Sequence, residues 1–312
     1  AAQLVPILRP LIPQYGHLAA YPASNMLIIS DRASNVNRMM RIIQRIDQQG
    51  DEAVDVVQLQ HASAAEVVRN AKPDGLTIGL VTASNAANET LIPNKSYRLL
   101  TDLEPLGLYA WLANVLIVNP EIKGATVNAL VATLKGRAGT HYSSGGIGSP
   151  GHLSGETFKL RTGVAMTHVP YKGAPPAVLA VVTGEVALMF ATASAALPQI
   201  RAGKVRPLAV TSSARVTELP DVPTFAQAGL ANFDVQDWVG FVLPKGTPAE
   251  TRDRLDKAFA EPFADPAVRE RLEKNTMLAA PQPLGPQAFG AFLARDVAKW
   301  ADVIKAAGIK AE

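Results

Sequence analysis

Hydrophobic and polar positions follow two different patterns that meet near residue 72. Before that point they predict a small α/β unit. Residues 4–11 predict a short helical stretch interrupted by Pro6 and Pro10. His17–Tyr21 and residues 25–30 predict two strands joined by a turn at residues 22–24. A helix is expected over residues 35–48, with Asp31 and Ser34 as candidate N-caps. Val36, Met39, Met40, Ile43 and Ile46 share one face at helical spacing, while Arg38, Arg41 and Arg45 line a solvated one. Residues 54–59 predict a further strand, and Ser63 opens a helix that runs to Asn70.

The turn signal Pro73-Asp74-Gly75 ends this pattern, and strand and helix then alternate as in layered α/β proteins. Strands are expected at residues 76–82, within 101–120, and at 140–144, 166–170, 185–190, 205–212 and 239–244. Helices are expected at residues 126–135, 152–160, 175–182 and 195–202, and one begins near Pro248. The last helix is the clearest. Phe289, Leu293, Val297, Trp300 and Ile304 line one face from about Pro286 to Ala307, and Gly308 suits a C-cap.

Composition narrows the function classes. The chain has 312 residues, enough for two or three domains. Cysteine is absent, which excludes disulfides, thiolate metal sites and cysteine nucleophiles. The net charge is +3 and no basic tract occurs, so nucleic acid and anionic lipid are not expected as partners. No apolar run reaches 18 residues, so no membrane-spanning helix is expected. The first residues carry no signal-peptide pattern, as in a processed product.

Candidate chemistry centres on Tyr142-Ser143-Ser144-Gly145-Gly146-Ile147-Gly148-Ser149-Pro150-Gly151-His152, which contains a literal G-x-G-x-x-G. A strand, a glycine turn and a helix N-terminus make an anion site, because unpaired N–H groups and the helix dipole face outward. Ser143, Ser144 and Ser149 add hydroxyls. A dinucleotide site would also need an acid at the end of the next strand. That strand ends His168-Val169-Pro170-Tyr171-Lys172-Gly173, with a lysine and no acid. The loop therefore points to a small anion, with a purely structural glycine turn as the rival reading.

Other residues carry paired readings. Lys172 either attracts an anion at the cleft or is solvated on a turn. Ser84 and Asn85 come after the strand at residues 76–82 and either contact a ligand or cap the next helix. Thr192 and Ser194 offer hydroxyls or simply pack. Trp238 lines the cleft or belongs to the core. Ser149, His152 and Glu156 do not form a nucleophilic set, because Ser149 lies too close along the chain to face His152. The five histidines lack metal-ligand spacing, and no catalytic residue, metal or cofactor is expected.

Two resemblances extend this reading. LVPILRPLIPQYGHLAAYPASNMLIISDRASNVNRMM, with VDVVQLQHASAAEVVR, resembles the periplasmic N-domains of type II secretion secretins. From about residue 73 onward, PDGLTIGLVTASNAANETL, THYSSGGIGSPGHLSGETFK, HVPYKGAPPAVLAVVTGEVALMF, LAVTSSARVTELPDVPTFAQAGL, VGFVLPKGTPAE and KWADVIKAAGIK resemble the tripartite tricarboxylate transporter substrate-binding (Bug) proteins. The second resemblance implies a type II periplasmic-binding-protein fold, an α/β architecture of two lobes with crossing hinge strands. It places hinge strands at residues 113–120 and 239–244, one lobe at 73–120 plus 238–312, and the other at 121–237. It implies that the glycine loop binds a ligand carboxylate through amides and hydroxyls.

The family pattern has Asp where Ala191 stands, so an amino-acid ligand is disfavoured relative to a plain carboxylate or dicarboxylate. The chain thus reads as a composite: a secretin-like fragment over residues 1–72 fused to a periplasmic solute-binding protein that serves a membrane permease. The expected ligand-binding set is Ser84, Asn85, Ser143, Ser144, Gly145, Gly148, Ser149, His152, Lys172 and Thr192. The alternatives are a structural protein that self-associates through residues 1–72, and a composite whose binding is impaired because the family's opening segment is replaced.

Overall fold

The computed structural model describes His17–Tyr21, Met26–Ser30 and residues 64–311. The expected helix at residues 35–48 and strand at 54–59 lie outside the described residues. The chain divides into two compact units, Ala1–Gln60 and His61–Glu312. In the first, β1 (His17–Tyr21) and β2 (Met26–Ser30) pair antiparallel as a sheet of their own, with Ala19 opposite Ile28.

The second unit opens with α1 (Ala64–Asn70), which buries Ala65 and Val68. This helix packs on β3 (Gly79–Thr82) and β10 (Asp237–Pro244). It therefore belongs to the second unit, and the break lies upstream of the Pro73 turn where the sequence pattern suggested it. Strand β3 is also shorter than the apolar run at residues 76–82, because only Gly79 to Thr82 find partners on β10.

This unit holds two sheets. Among the described residues the first has the order β11-β4-β10-β3, with β4 at Leu103–Leu112 and β11 at Met277–Leu284. The second has the order β7-β6-β8-β5-β9, built from β5 (Asn114–Val118), β6 (His141–Ser144), β7 (Thr167–Pro170), β8 (Leu188–Thr192) and β9 (Arg206–Val210). The chain passes between sheets at Ala113. The hinge strands expected from the resemblance each lie within one sheet: β5 pairs with β8 and β9, and β10 pairs with β3 and β4.

Helices cover both sheets. Helix α2 (Ala83–Leu91) comes after β3, and α3 (Val127–Lys135) is capped by Thr126, whose side chain accepts from Ala129 N. Helix α4 (Pro150–Thr162) comes after β6, α5 (Ala174–Val182) after β7, and α6 (Ala193–Arg201) after β8. Strand β8 starts later than the expected 185–190, because Val186 N still bonds Ala180 O and holds the preceding turn against α5. Helix α7 (Ala249–Ala264) starts next to Pro248, where a helix was expected; neither it nor α8 (Pro266–Lys274) buries a residue, so no apolar stripe marks their extent.

The final helix α9 (Pro286–Ala307) matches its pattern, with Phe289, Leu293, Trp300 and Ile304 buried and Gly308 left-handed at its end. Each such side chain contributes about 1.5–3 kcal/mol of burial. Asp296 is carried into this core because its Oδ2 accepts from the indole N–H groups of both Trp238 and Trp300, each at 2.9 Å. Its Oδ1 meets Lys299 Nζ at 2.6 Å. Trp238 is thus a core residue inside β10 and does not line a cleft.

Candidate functional site

The glycine loop joins β6 to α4 at one end of the second sheet. Local chemistry sets the helix start. Ser149 is the N-cap and its Oγ accepts from His152 N at 3.4 Å, while Pro150 occupies the first helical position, where a missing N–H costs nothing. Gly151 lets the helix approach the sheet, since a Cβ there would lie 2.5 Å from Phe190 O. Gly148 has a φ of 72°, and a Cβ there would lie 2.6 Å from Leu91 Cδ1 of α2. The loop of the second sheet is therefore in contact with a helix of the first.

A buried polar network holds the loop from below. The rings of His152 and His168 stack with centroids 3.7 Å apart and planes 7° from parallel. His152 Nδ1 accepts from Gly148 N–H at 3.1 Å, which fixes the ring as neutral with its proton on Nε2. Ser144 Oγ lies 2.7 Å from His168 Nε2 and accepts from Gly146 N–H at 3.1 Å. Burial pushes His152 down to about 4, helped by the Lys159 charge. Burial pushes His168 down to about 3, helped by the neighbouring His152. Tyr142 OH donates to Glu156 Oε1 at 2.6 Å, and Lys159 Nζ meets Glu156 Oε2 at 2.8 Å. Burial, then this bond to Glu156, raises the Tyr142 phenol well above its ordinary range.

These contacts redefine the expected anion cradle. The amides of Gly146, Gly148 and Ser149 are committed to Ser144 Oγ, His152 Nδ1 and Gly146 O respectively. Among the described residues, the amides of Gly145 and Ile147 have no protein acceptor, and they sit at the positive end of α4. The open amides are fewer than the run expected over residues 144–149. Glu156 engages Tyr142 and Lys159 and does not orient His152, so no nucleophile–base–acid set exists here.

The remaining expected residues divide. Ser143 faces the other side of the sheet, because neighbouring strand residues alternate, and its Oγ donates to Ala177 O of α5 at 2.9 Å. It does not join the loop site. Asn85 is engaged at both side-chain polar atoms: its Oδ1 accepts from Thr82 N at 2.9 Å, and its Nδ2 donates to Tyr97 OH at 3.3 Å. It acts as a helix cap. Ser84 is half-buried in the first turn of α2, beside Ala83, whose N–H points to Asp237 Oδ1 at 3.4 Å. Lys172 is exposed beyond β7. Thr192 is half-buried at the N-cap of α6. Among the described residues no cluster of His, Cys, Asp or Glu could hold a metal.

Sequence reasoning missed three buried polar residues here: His168, Tyr142 and Asp237. Asp237 is buried at the start of β10 and accepts from Trp238 N at 2.8 Å. Burial pushes its carboxyl up to about 6. Alternation along β6 puts Tyr142 and Ser144 on one face and was a usable signal. Nothing local announces the pairing of His152 with His168 across two elements.

A family model described as the tripartite tricarboxylate transporter family receptor matches residues 58–309. The chain belongs to this family. A second model, the bacterial type II/III secretion system short domain, matches residues 1–52. The receptor-family relative BugT of Bordetella pertussis is 33% identical over 300 residues, covering 93% of this chain and 91% of the relative. The solved structure of R. palustris Rpa4515 with adipate superposes with a TM-score of 0.73 at 29% identity, covering 88% of this chain and 93% of that one. MatC from Rhodopseudomonas palustris with bound malate gives a TM-score of 0.66 at 28% identity, covering 77% and 83%. The N-terminal match is to secretin XcpQ of Pseudomonas aeruginosa, 43% identical over 90 residues, which is 28% of this chain and 14% of that protein. The receptor-family model begins upstream of α1, in agreement with the packing of that helix on β3 and β10.

Proposed function

We propose that this chain is a periplasmic solute-binding protein that captures a small carboxylate or dicarboxylate and presents it to the membrane permease of a tripartite tricarboxylate-type transporter. The carrying observation is the pair of uncommitted amides at Gly145 and Ile147, at the positive end of α4 and on a loop that contacts α2 of the other sheet. Two lobes built on the two sheets close over the ligand. Ser84 and Thr192 contribute hydroxyls from their helix starts, and Lys172 supplies positive potential from the rim. His152, Ser144 and Ser149 shape the loop. Malate and adipate in the related structures support the ligand class. The chain carries out no reaction.

Among the described residues no helix is long and apolar enough to cross a membrane. Calorimetric titration of the folded protein with a panel of small mono-, di- and tricarboxylates is the test. At least one acid is expected to bind with a micromolar or tighter Kd, and no binding by folded protein overturns the reading. The secretion-system match over residues 1–52 supports a separable role in self-association. Light scattering on full-length and N-terminally trimmed chains tests it, and a monomer in both cases rejects it.

A further inference from the structure

Asn114 stands where the chain enters the second sheet, and its side chain is unexplained by the fold. The residue is 0% exposed, yet neither Nδ2 nor Oδ1 has a hydrogen-bond partner. Its backbone is locked: its N–H reaches Thr211 Oγ1 at 3.1 Å, and its carbonyl accepts from Thr211 N at 2.8 Å. Alternation along β5 sends Val115 and Ile117 into the core with Val178 and Val181, and Leu116 and Val118 into the core with Phe158 and Phe190. Asn114 falls on the face of Leu116.

That is the face covered by α4. Asn114 is in register with Thr192, and Leu116 with Phe190, whose carbonyl oxygen lies against Gly151 in the first turn of α4. Asn114 and Thr192 are thus the last cross-strand pair on this face, next to the start of α4 and its glycine loop. Ser154, one turn into α4, is also fully buried with an unpartnered Oγ. A buried amide without partners is costly, and Leu or Val would fill the position without that cost.

We infer that Asn114 is a specificity-determining residue that hydrogen-bonds a hydroxyl on the bound carboxylate. The inference rests on the solute-binding reading above. An amide offers a donor and an acceptor side by side. A carboxylate answers only the donor, whereas a hydroxyl answers both. The favoured ligands are therefore 2-hydroxycarboxylates, with the carboxylate on the Gly145 and Ile147 amides and the neighbouring hydroxyl on Asn114.

The test pairs each plain acid that binds with its 2-hydroxy counterpart, starting with succinate and malate, on wild type and Asn114→Leu. Wild type is expected to prefer the hydroxy acid by about tenfold or more, the factor carried by one hydrogen-bond energy of about 1.4 kcal/mol. Asn114→Leu is expected to lose that preference while holding plain acids within about twofold, and to melt no lower than wild type without ligand. Asn114→Ser, which keeps a hydroxyl donor and acceptor, is expected to retain part of the preference and guards against a variant that fails to fold. Plain acids bound without preference by wild type, or a preference retained in Asn114→Leu, overturns the assignment of Asn114 alone. A wild type that binds no carboxylate overturns the parent reading together with it.

Discussion

His152 and His168 stack face to face beneath the glycine loop, and the first of them accepts the Gly148 amide on its Nδ1. A protonated imidazole cannot accept that bond, and two stacked cations would repel. The loop geometry therefore depends on both rings remaining neutral.

Acidification should accordingly weaken the fold. Unfolded histidines titrate near 6.5, whereas His152 is held down to about 4 and His168 to about 3. Between pH 6.5 and about 4 the unfolded chain takes up protons that the folded chain refuses, so stability falls as pH falls through that window. Above 6.5 the histidines add no slope. Asp237, held up to about 6 from 3.8, acts in the opposite sense between those values and offsets part of the loss. Melting temperatures from pH 7 to 4 should fall in wild type. The slope should flatten in His152→Asn with His168→Gln, which place a non-titrating amide at each bonded nitrogen.

The Trp238–Asp296–Trp300 arrangement predicts a large single-site effect. Asp296→Ala leaves two buried indole N–H groups without an acceptor. A loss of about 2–5 kcal/mol is expected, and a shift of the urea midpoint at unchanged slope measures it.

Gly151→Ala should separate packing from loop conformation. Its Cβ would press on Phe190 O, so α4 must move off the sheet and carry the Gly145 and Ile147 amides with it. Carboxylate affinity is expected to fall by at least about tenfold, with about 1–3 kcal/mol of stability lost to overpacking. Gly163→Ala, at the far end of the same helix with nothing near its Cβ, should cost about 1 kcal/mol and leave affinity unchanged. Calorimetry on both variants reads the difference.

Strand β3 is the outer strand of its sheet among the described residues, and Leu80 on it is 48% exposed. Such an edge invites pairing between copies. Leu80→Lys should leave the melting temperature within about 1 °C and reduce concentration-dependent light scattering of the full-length chain.

The elements with strong periodicity were legible in the sequence. The α9 stripe from Phe289 to Ile304 and the short apolar runs of β1 and β2 on either side of a turn translate directly into structure. The start of α7 near Pro248 was legible, but its length and the whole of α8 were not, because neither helix buries a residue and burial is what produces a stripe. In the site, the strand–loop–helix cradle could be read locally, since Ser149 and Pro150 mark the helix start. Which amides remain open could not. That depends on Ser144 and His152 turning back onto the loop, and on His168 arriving from another strand. Ser143 and Asn85 looked equivalent to Ser144 and Ser84 as residue types. Tertiary hydrogen bonds to Ala177 O and Tyr97 OH separate them.

The order β11-β4-β10-β3 also dictates when the molecule can form. Neither β3 nor β4 touches the other; both pair with β10, which lies beyond the entire second sheet in the chain. When the chain is delivered from its N-terminus, the first sheet must wait for Asp237–Pro244, while the second sheet is complete once β9 at Arg206–Val210 has arrived. The sheet that begins first finishes last, and its apolar strands stay unpaired for as long as the intervening chain takes to be made.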